Sequence, residues 1–196
     1  MAIRRRRLTT ILVGLAAVAL APVIYRWAKY PPDTTPEGAY LRIASAIGRQ
    51  DPEDCFAYLE EEAQHAVFTM LRYGRLATAA IDERYPEPDR TEALARYAAV
   101  RESRTAPELW ARVAAERGWL GRLRRDLSGV AEVERVGERA TVVTARGTRY
   151  PFRRRPNGIW GLTVFTAQLE AEAARFARDW ELVQRAAADY ARADKP

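Results

Sequence analysis

The 196 residues hold one cysteine, one histidine and two lysines. A lone Cys55 excludes an internal disulfide. A lone Cys beside a lone His also excludes a zinc site built from several such ligands. The chain has no Gly-rich phosphate loop, no G-x-S-x-G elbow and no H-E-x-x-H pair. Carboxylate-only sites for hard cations survive that test, but no acidic loop of the calcium type is present. No metal or other cofactor is implied. Acid is missing from residues 1–30, which carry Arg4, Arg5, Arg6, Arg7, Arg26 and Lys29. The remaining 166 residues balance 26 bases against 26 acids. The net charge of +6 therefore belongs to the N-terminus, and it gives no ground for a nucleic-acid partner.

Leu8–Tyr25 runs eighteen residues without a charge. As a helix it spans about 27 Å, close to the roughly 30 Å of hydrocarbon in a bilayer. Tyr25 and Trp27 fall where an interfacial aromatic belt lies, and Arg26 and Lys29 close the segment. The four arginines ahead of the span exceed the two bases behind it, which puts the N-terminus in the cytoplasm and the body across the membrane. The expectation is a transmembrane signal anchor. A cleaved signal peptide shares the pattern through Ala19-Leu20-Ala21, although Pro22 would then be the first mature residue. A twin-arginine signal lacks the rest of its motif, and a buried hydrophobic helix is a further reading.

The boundaries follow. Residues 1–7 form a basic cytoplasmic tail, 8–25 the anchor, and 26–35 a Pro-rich linker, the three prolines within residues 30–36 reading as an extended spacer. Residues 36–165 form an α+β domain and 166–193 a long amphipathic helix. Thr35 is a plausible N-cap with Pro36 at the first helical position. The spacing predicts a helix over 36–49 and a short one carrying Cys55, Phe56 and Leu59. A long helix follows along Ala63, Ala66, Val67, Met70, Leu71, Gly74, Ala77 and Ile81. Tyr85-Pro86-Glu87-Pro88 breaks it, and further helices are expected over 89–103 and 107–117, then a short turn at Leu120–Leu127.

After Gly129 the period falls to two. Val130–Val136, Arg139–Ala145, Thr148–Arg153 and Ile159–Phe165 read as a four-stranded antiparallel meander, separated by turn-forming residues. Trp160, Leu162 and Val164 are expected on the covered face, with the upstream helices as cover. From Thr166 to Ala193 a seam recurs every 3.5 residues: Leu169, Ala173, Phe176, Trp180, Val183, Ala187 and Tyr190. This seam either folds back on the domain or pairs with a second copy or another envelope protein.

The opening TPEGAYLRIASAIGRQD, the meander GERATVVTARGTRYPF and the strand NGIWGLTVF resemble the nuclear-transport-factor-two-like superfamily over roughly 35–165. The resemblance implies a curved sheet wrapped around helices into a cone with a pocket at its mouth. Helices from about 87 to 127 depart from the family pattern. The fold supports binding, dimerisation and enzymatic roles alike.

Two groups of residues carry the candidate chemistry. His65 is within helical reach of Glu61 and Glu62, which fits a surface ion pair or a pocket acid–base. Arg153, Arg154 and Arg155 form a basic run that suits lipid headgroups, a carboxylated ligand or an acidic partner, or simply guards a sheet edge. Cys55, beside Asp54, has no nearby cation to activate it, so packing or an intermolecular disulfide is its role. The expected function is a non-enzymatic binding or assembly module held to the lipid bilayer. The alternative is a carrier or enzyme using a cone-shaped pocket for a small hydrophobic ligand.

Overall fold

The computed structural model describes residues 31–193. The expected anchor at 8–25, the basic tail and residues 26–30 of the linker lie outside the described residues. Among those described, no helix is long and apolar enough to cross a membrane.

Helix α1 (Pro36–Gly48) starts where the sequence marks it: the Thr35 hydroxyl accepts from the Gly38 N–H at 3.1 Å. Gln50 takes a left-handed φ of 61°, and the chain turns into a 3-10 helix over Pro52–Tyr58. Helix α2 (Glu61–Arg84) buries the whole apolar series from Ala63 to Ile81 that its periodicity marks.

The expected helix over 89–103 is two pieces, α3 (Asp89–Ala95) and α4 (Ala98–Arg101). Tyr97 interrupts the helical backbone with ψ near 18° and turns its ring inward against Phe176. Helix α5 (Ala106–Glu116) is capped by Thr105, and α6 (Trp119–Asp126) is a helix of two turns where only a short turn was expected.

Strands β1 (Val130–Val136), β2 (Arg139–Thr144), β3 (Arg149–Arg154) and β4 (Trp160–Leu162) form an antiparallel meander in sequence order. The register aligns Val133 with Val142, Ala140 with Phe152, and Phe152 with Leu162. One face is therefore apolar from strand to strand, and it meets α1, where Tyr40 packs on Tyr150 at 5.4 Å. Strand β4 is shorter than the expected 159–165: the Thr163 N–H still bonds the Pro151 carbonyl in register, but Pro151 has no N–H to return the bond, and the Thr163 carbonyl accepts from Thr166 as the chain turns into the last helix. On its other side β4 meets the 59–60 segment: Leu59 bridges Leu162, and the Glu60 N–H donates to the Leu162 carbonyl at 3.1 Å. Gly161 permits this approach, since a Cβ there would lie 2.6 Å from Glu60 Cα.

Helix α7 (Thr166–Ala193) packs along α2, and the two run parallel. Thr166 meets Glu60 at one end, Phe176 lies over Gly74 in the middle, and Tyr190 meets Tyr85 at the other end. The seam residues Leu169, Ala173, Phe176, Val183 and Ala187 are buried by the chain's own fold. Trp180 and Tyr190 are half-buried on the same line. Trp110, Trp119 and Phe165 close the core between the helices and the sheet, with Trp119 stacked on Phe165 at 4.8 Å.

Candidate functional site

The most densely connected polar cluster joins β3, α2 and α7, and its centre is a residue that the sequence did not single out. Glu60, the residue before α2, is 3% exposed. One carboxylate oxygen accepts from the Thr166 hydroxyl at 2.6 Å. The other lies 2.8 Å from Arg153 Nη1, an ion pair whose angle falls outside a hydrogen bond. The same Nη1 donates to Glu62 at 3.1 Å. The acid is buried because Leu59 and Glu60 are held against β4, and Arg153 reaches it from the neighbouring strand.

The arginine run does not form one basic patch. Arg153 is engaged by Glu60 and Glu62, and Arg154 lies 3.5 Å from Glu138. Arg155 turns toward the Leu59 carbonyl at 3.4 Å, and its Nε is buried without an acceptor. Burial pulls the Arg155 guanidinium below its usual pKa, against the opposing pull of Glu61 and Asp33. Glu61 thus sits in the field of Arg155 rather than beside His65. His65 is exposed, and among the described residues its side chain makes no hydrogen bond or ion pair. The expected His65–Glu61 pair does not form, because both flanking glutamates are drawn toward β3 and its turn.

These contacts separate the partners by their dependence on each other. Removing Arg153 leaves Glu60 buried with one hydroxyl, whereas removing the Glu60 charge leaves Arg153 its contact with Glu62. Arg153→Met is expected to cost about 2 kcal/mol, below the roughly 3–5 of a fully buried pair because the arginine is nearly half exposed. Glu60→Gln is expected to cost under about 1 kcal/mol, since the Thr166 contact survives. Urea unfolding of the two variants measures the asymmetry, and equal losses would contradict it.

Cys55 is 1% exposed, and its thiol faces the Ile43 carbonyl at 3.9 Å. Burial, reinforced by Asp54 and Asp51, pushes its pKa up to about 12. A thiol so placed is packing, and it is closed to an intermolecular disulfide in this fold.

The covered face of the sheet is packed against the helices. Tyr40, Ile43, Trp110, Phe152, Trp160 and Leu162 are each at most 2% exposed and belong to one core. Burial raises the Tyr40 hydroxyl pKa, and the Ser128 backbone N–H that its oxygen accepts at 3.1 Å acts against the rise, while the hydroxyl itself donates to the Ser128 carbonyl at 2.6 Å. A groove of about 330 Å³ lies instead on the outer face, between Glu134, Thr141, Pro151, Arg153 and Thr163. Glu134 there is already paired with Arg149. Among the described residues, no cluster of three or more His, Cys, Asp or Glu side chains is placed to hold a metal ion.

A second feature also escaped the sequence reading. The linker was expected to be an extended spacer, yet from Pro31 onward it is clamped to the domain. Arg42 donates to the Pro31 carbonyl at 2.7 Å, and Thr35 to that of Pro32 at 2.8 Å. The Trp160 backbone N–H bonds the Asp33 carbonyl at 3.2 Å, and its indole N–H bonds that of Thr34 at 3.0 Å. The Pro32 carbonyl packs so closely on Gly38 that a Cβ there would lie 2.0 Å from it. A Trp beside a Gly in the last strand was the available signal. No family model, curated protein or solved structure matches this chain.

Proposed function

We propose that the chain is a single-pass membrane-anchored envelope protein whose extracytoplasmic body is a non-enzymatic binding or assembly module. The observation that carries the second half is the filled face of the sheet. A carrier or enzyme of the cone-pocket kind needs space between sheet and α1, and Tyr40, Ile43, Phe152 and Trp160 occupy it. The conspicuous charges are also spent on one another: Arg153 on Glu60 and Glu62, Arg149 on Glu134, Arg117 on Glu172. Such pairing suits a rigid scaffold better than a reactive centre. The nuclear-transport-factor-two-like resemblance belongs to the same proposal, as a lineage in which the cone has closed on its own core. A partner, whether a second copy or another envelope protein, would use the outer surface, because the α7 seam is taken up by α2.

The first half rests on the uncharged Leu8–Tyr25 stretch and the arginines ahead of it. A reporter active only in the cytoplasm, fused after Pro196, is expected to stay silent, while one active only outside gives full signal. Strong cytoplasmic activity would overturn the topology. Recovery of the chain at its full mass from membranes separates the anchor from a cleaved signal peptide.

A further inference from the structure

Helix α6 and the turn between β2 and β3 bring four arginines to one end of the sheet. Trp119 and Leu123 face the core, while Gly121, Arg122, Arg124 and Arg125 are exposed along the other side of the helix. Arg146, in the turn, is tied to the same place. Its backbone N–H donates to the Ser128 hydroxyl at 3.2 Å, and its guanidinium donates to the Arg125 carbonyl. Counter-ions are short here. Among the described residues, the Arg122 and Arg124 side chains make no hydrogen bond or ion pair. The Arg146 guanidinium has a carbonyl for its partner rather than a carboxylate. Only Arg125 has an acid, Asp126 at 3.4 Å, and Arg117 is spent on Glu172.

The helix dipole accounts for part of this, since the last turn favours cations and Arg146 satisfies a terminal carbonyl. Arg122 lies before that turn, where Arg125 three positions on repels it and Asp126 is already taken by Arg125. The surroundings narrow what could neutralise the excess. No ring is exposed for bases to stack on, because Trp119 is stacked on Phe165 in the core and Tyr150 is buried. The large apolar side chains that stand exposed, Phe68, Leu76, Val136 and Leu182, lie on other elements, so nothing here would insert among lipid tails. Free guanidinium forks on an exposed ridge suit carboxylates, which they bind two bonds at a time. At Gly121 a Cβ would meet nothing within 4 Å, so another backbone can lie along the ridge.

We propose that the α6 ridge and the β2–β3 turn, through Arg122, Arg124, Arg125 and Arg146, form the docking surface for a carboxylate-rich segment of a partner protein. The inference deepens the assembly reading, on which it rests, by naming the partner's chemistry. Acids at alternate positions of an extended segment lie about 6.6 Å apart on one side. Helix positions three apart are separated by roughly 5–6 Å, so such a segment meets Arg122 and Arg125 in turn.

The test uses the full chain in discs of zwitterionic lipid, with an oligoglutamate peptide that carries a benzophenone at one end. Cross-links are mapped by mass spectrometry and are expected in residues 117–126 and 144–148. Arg122→Gln with Arg124→Gln should lower them about tenfold, the worth of two good exposed ion pairs. The melting temperature should hold, because neither side chain has a partner among the described residues. Arg139→Gln with Arg178→Gln removes the same charge from exposed arginines on other elements that also lack partners there, and should change the cross-links by less than about twofold. Equal loss in the two double variants would mean that net charge alone is read, and it overturns the proposal. Cross-links that persist in the first variant, or that fall only in residues 1–30, overturn it too. Phosphatidylglycerol vesicles and a thymidine oligonucleotide are added as competitors at equal charge. Displacement by either that exceeds displacement by unlabelled oligoglutamate assigns the surface to lipid or nucleic acid and overturns the acidic segment as its occupant. The cytoplasmic reporter fused after Pro196 is read beside these samples. A silent reporter without cross-links in the body refutes the surface alone, and a strong cytoplasmic signal refutes the envelope reading whatever the peptide does.

Discussion

Trp160→Ala is expected to cost about 3–5 kcal/mol, the range for truncating a fully buried aromatic side chain. Trp160 is completely buried, and it does more than fill space. Its indole N–H holds the Thr34 carbonyl at 3.0 Å, its backbone N–H holds that of Asp33, and the Arg135 guanidinium lies 5.1 Å above the ring. Alanine keeps the backbone bond and loses the other two, so the entry segment loosens as the core empties. Trp160→Phe should recover most of the packing but not the bond to Thr34, at about 1–2 kcal/mol. Arg154→Ala, on an exposed side chain 3.5 Å from Glu138, should stay within about 0.5 kcal/mol. Chemical denaturation of the three variants gives the order directly. A similar loss for Arg154→Ala and Trp160→Ala would mean that the register of β4 on β3 is wrong.

The contrast between Trp160 and its surroundings shows what the sequence could carry. Its placement on the covered face was legible, because alternation along a strand is a local property of period two. The buried face of α2 was legible for the same reason at period 3.6, down to Gly74, whose missing Cβ makes room for Val100 and Phe176. The Thr35 cap and Pro36 marked the start of α1 by local chemistry. Tyr97 was not legible as a break, since a tyrosine within a polar helical run is ordinary and only its contact with Phe176 explains the turn. Strand β4 is shorter than alternation suggests because its ladder ends where it meets Pro151 on the neighbouring strand, a pairing that period two along β4 alone does not show.

The polar cluster was hidden by distance along the chain. Glu60 and Thr166 are 106 residues apart, and Arg153 and Glu62 are 91 apart. Reasoning from neighbours paired the glutamates with His65, four positions away or fewer, because helical spacing is the only geometry that a sequence shows directly. Tertiary contact offered Glu62 the Arg153 guanidinium and brought Glu61 into the field of Arg155, partners that neighbour spacing does not show. The arginine run was correctly seen as basic, but composition counts charges without their counter-ions. The same limitation applied to the linker, whose prolines marked an extended backbone while the carbonyls that Trp160 and Arg42 capture carried no mark.

Phe176→Asp is expected to have the largest effect of any single change in the body. Phe176 lies at the middle of the 28-residue α7, over the gap left by Gly74 and edge-on to Tyr97 at 5.9 Å. Losing the ring alone costs about 3–5 kcal/mol. The new carboxylate must also leave water for apolar surroundings, or α7 must leave α2. The sum matches the whole stability of a typical domain, about 5–15 kcal/mol, so the native fold should not persist at 25 °C. Leu182→Asp is the matched control, because Leu182 is 55% exposed on the same helix and should shift stability by no more than about 0.5 kcal/mol. Circular dichroism with tryptophan fluorescence separates the possible results. Loss of helix together with exposure of Trp110 and Trp119 means that α7 is an integral wall of the core. Loss of helix with the tryptophans still buried means that α7 peels away from a body that stands without it. A Phe176→Asp chain that keeps its fold but loses a dimer on sedimentation would mean that the seam joins two copies, contrary to the packing on α2. The parallel course of α2 and α7, pinned by Glu60–Thr166 at one end and Tyr190–Asp89 at the other, favours the first result. A helix held at both ends has no free end from which to peel.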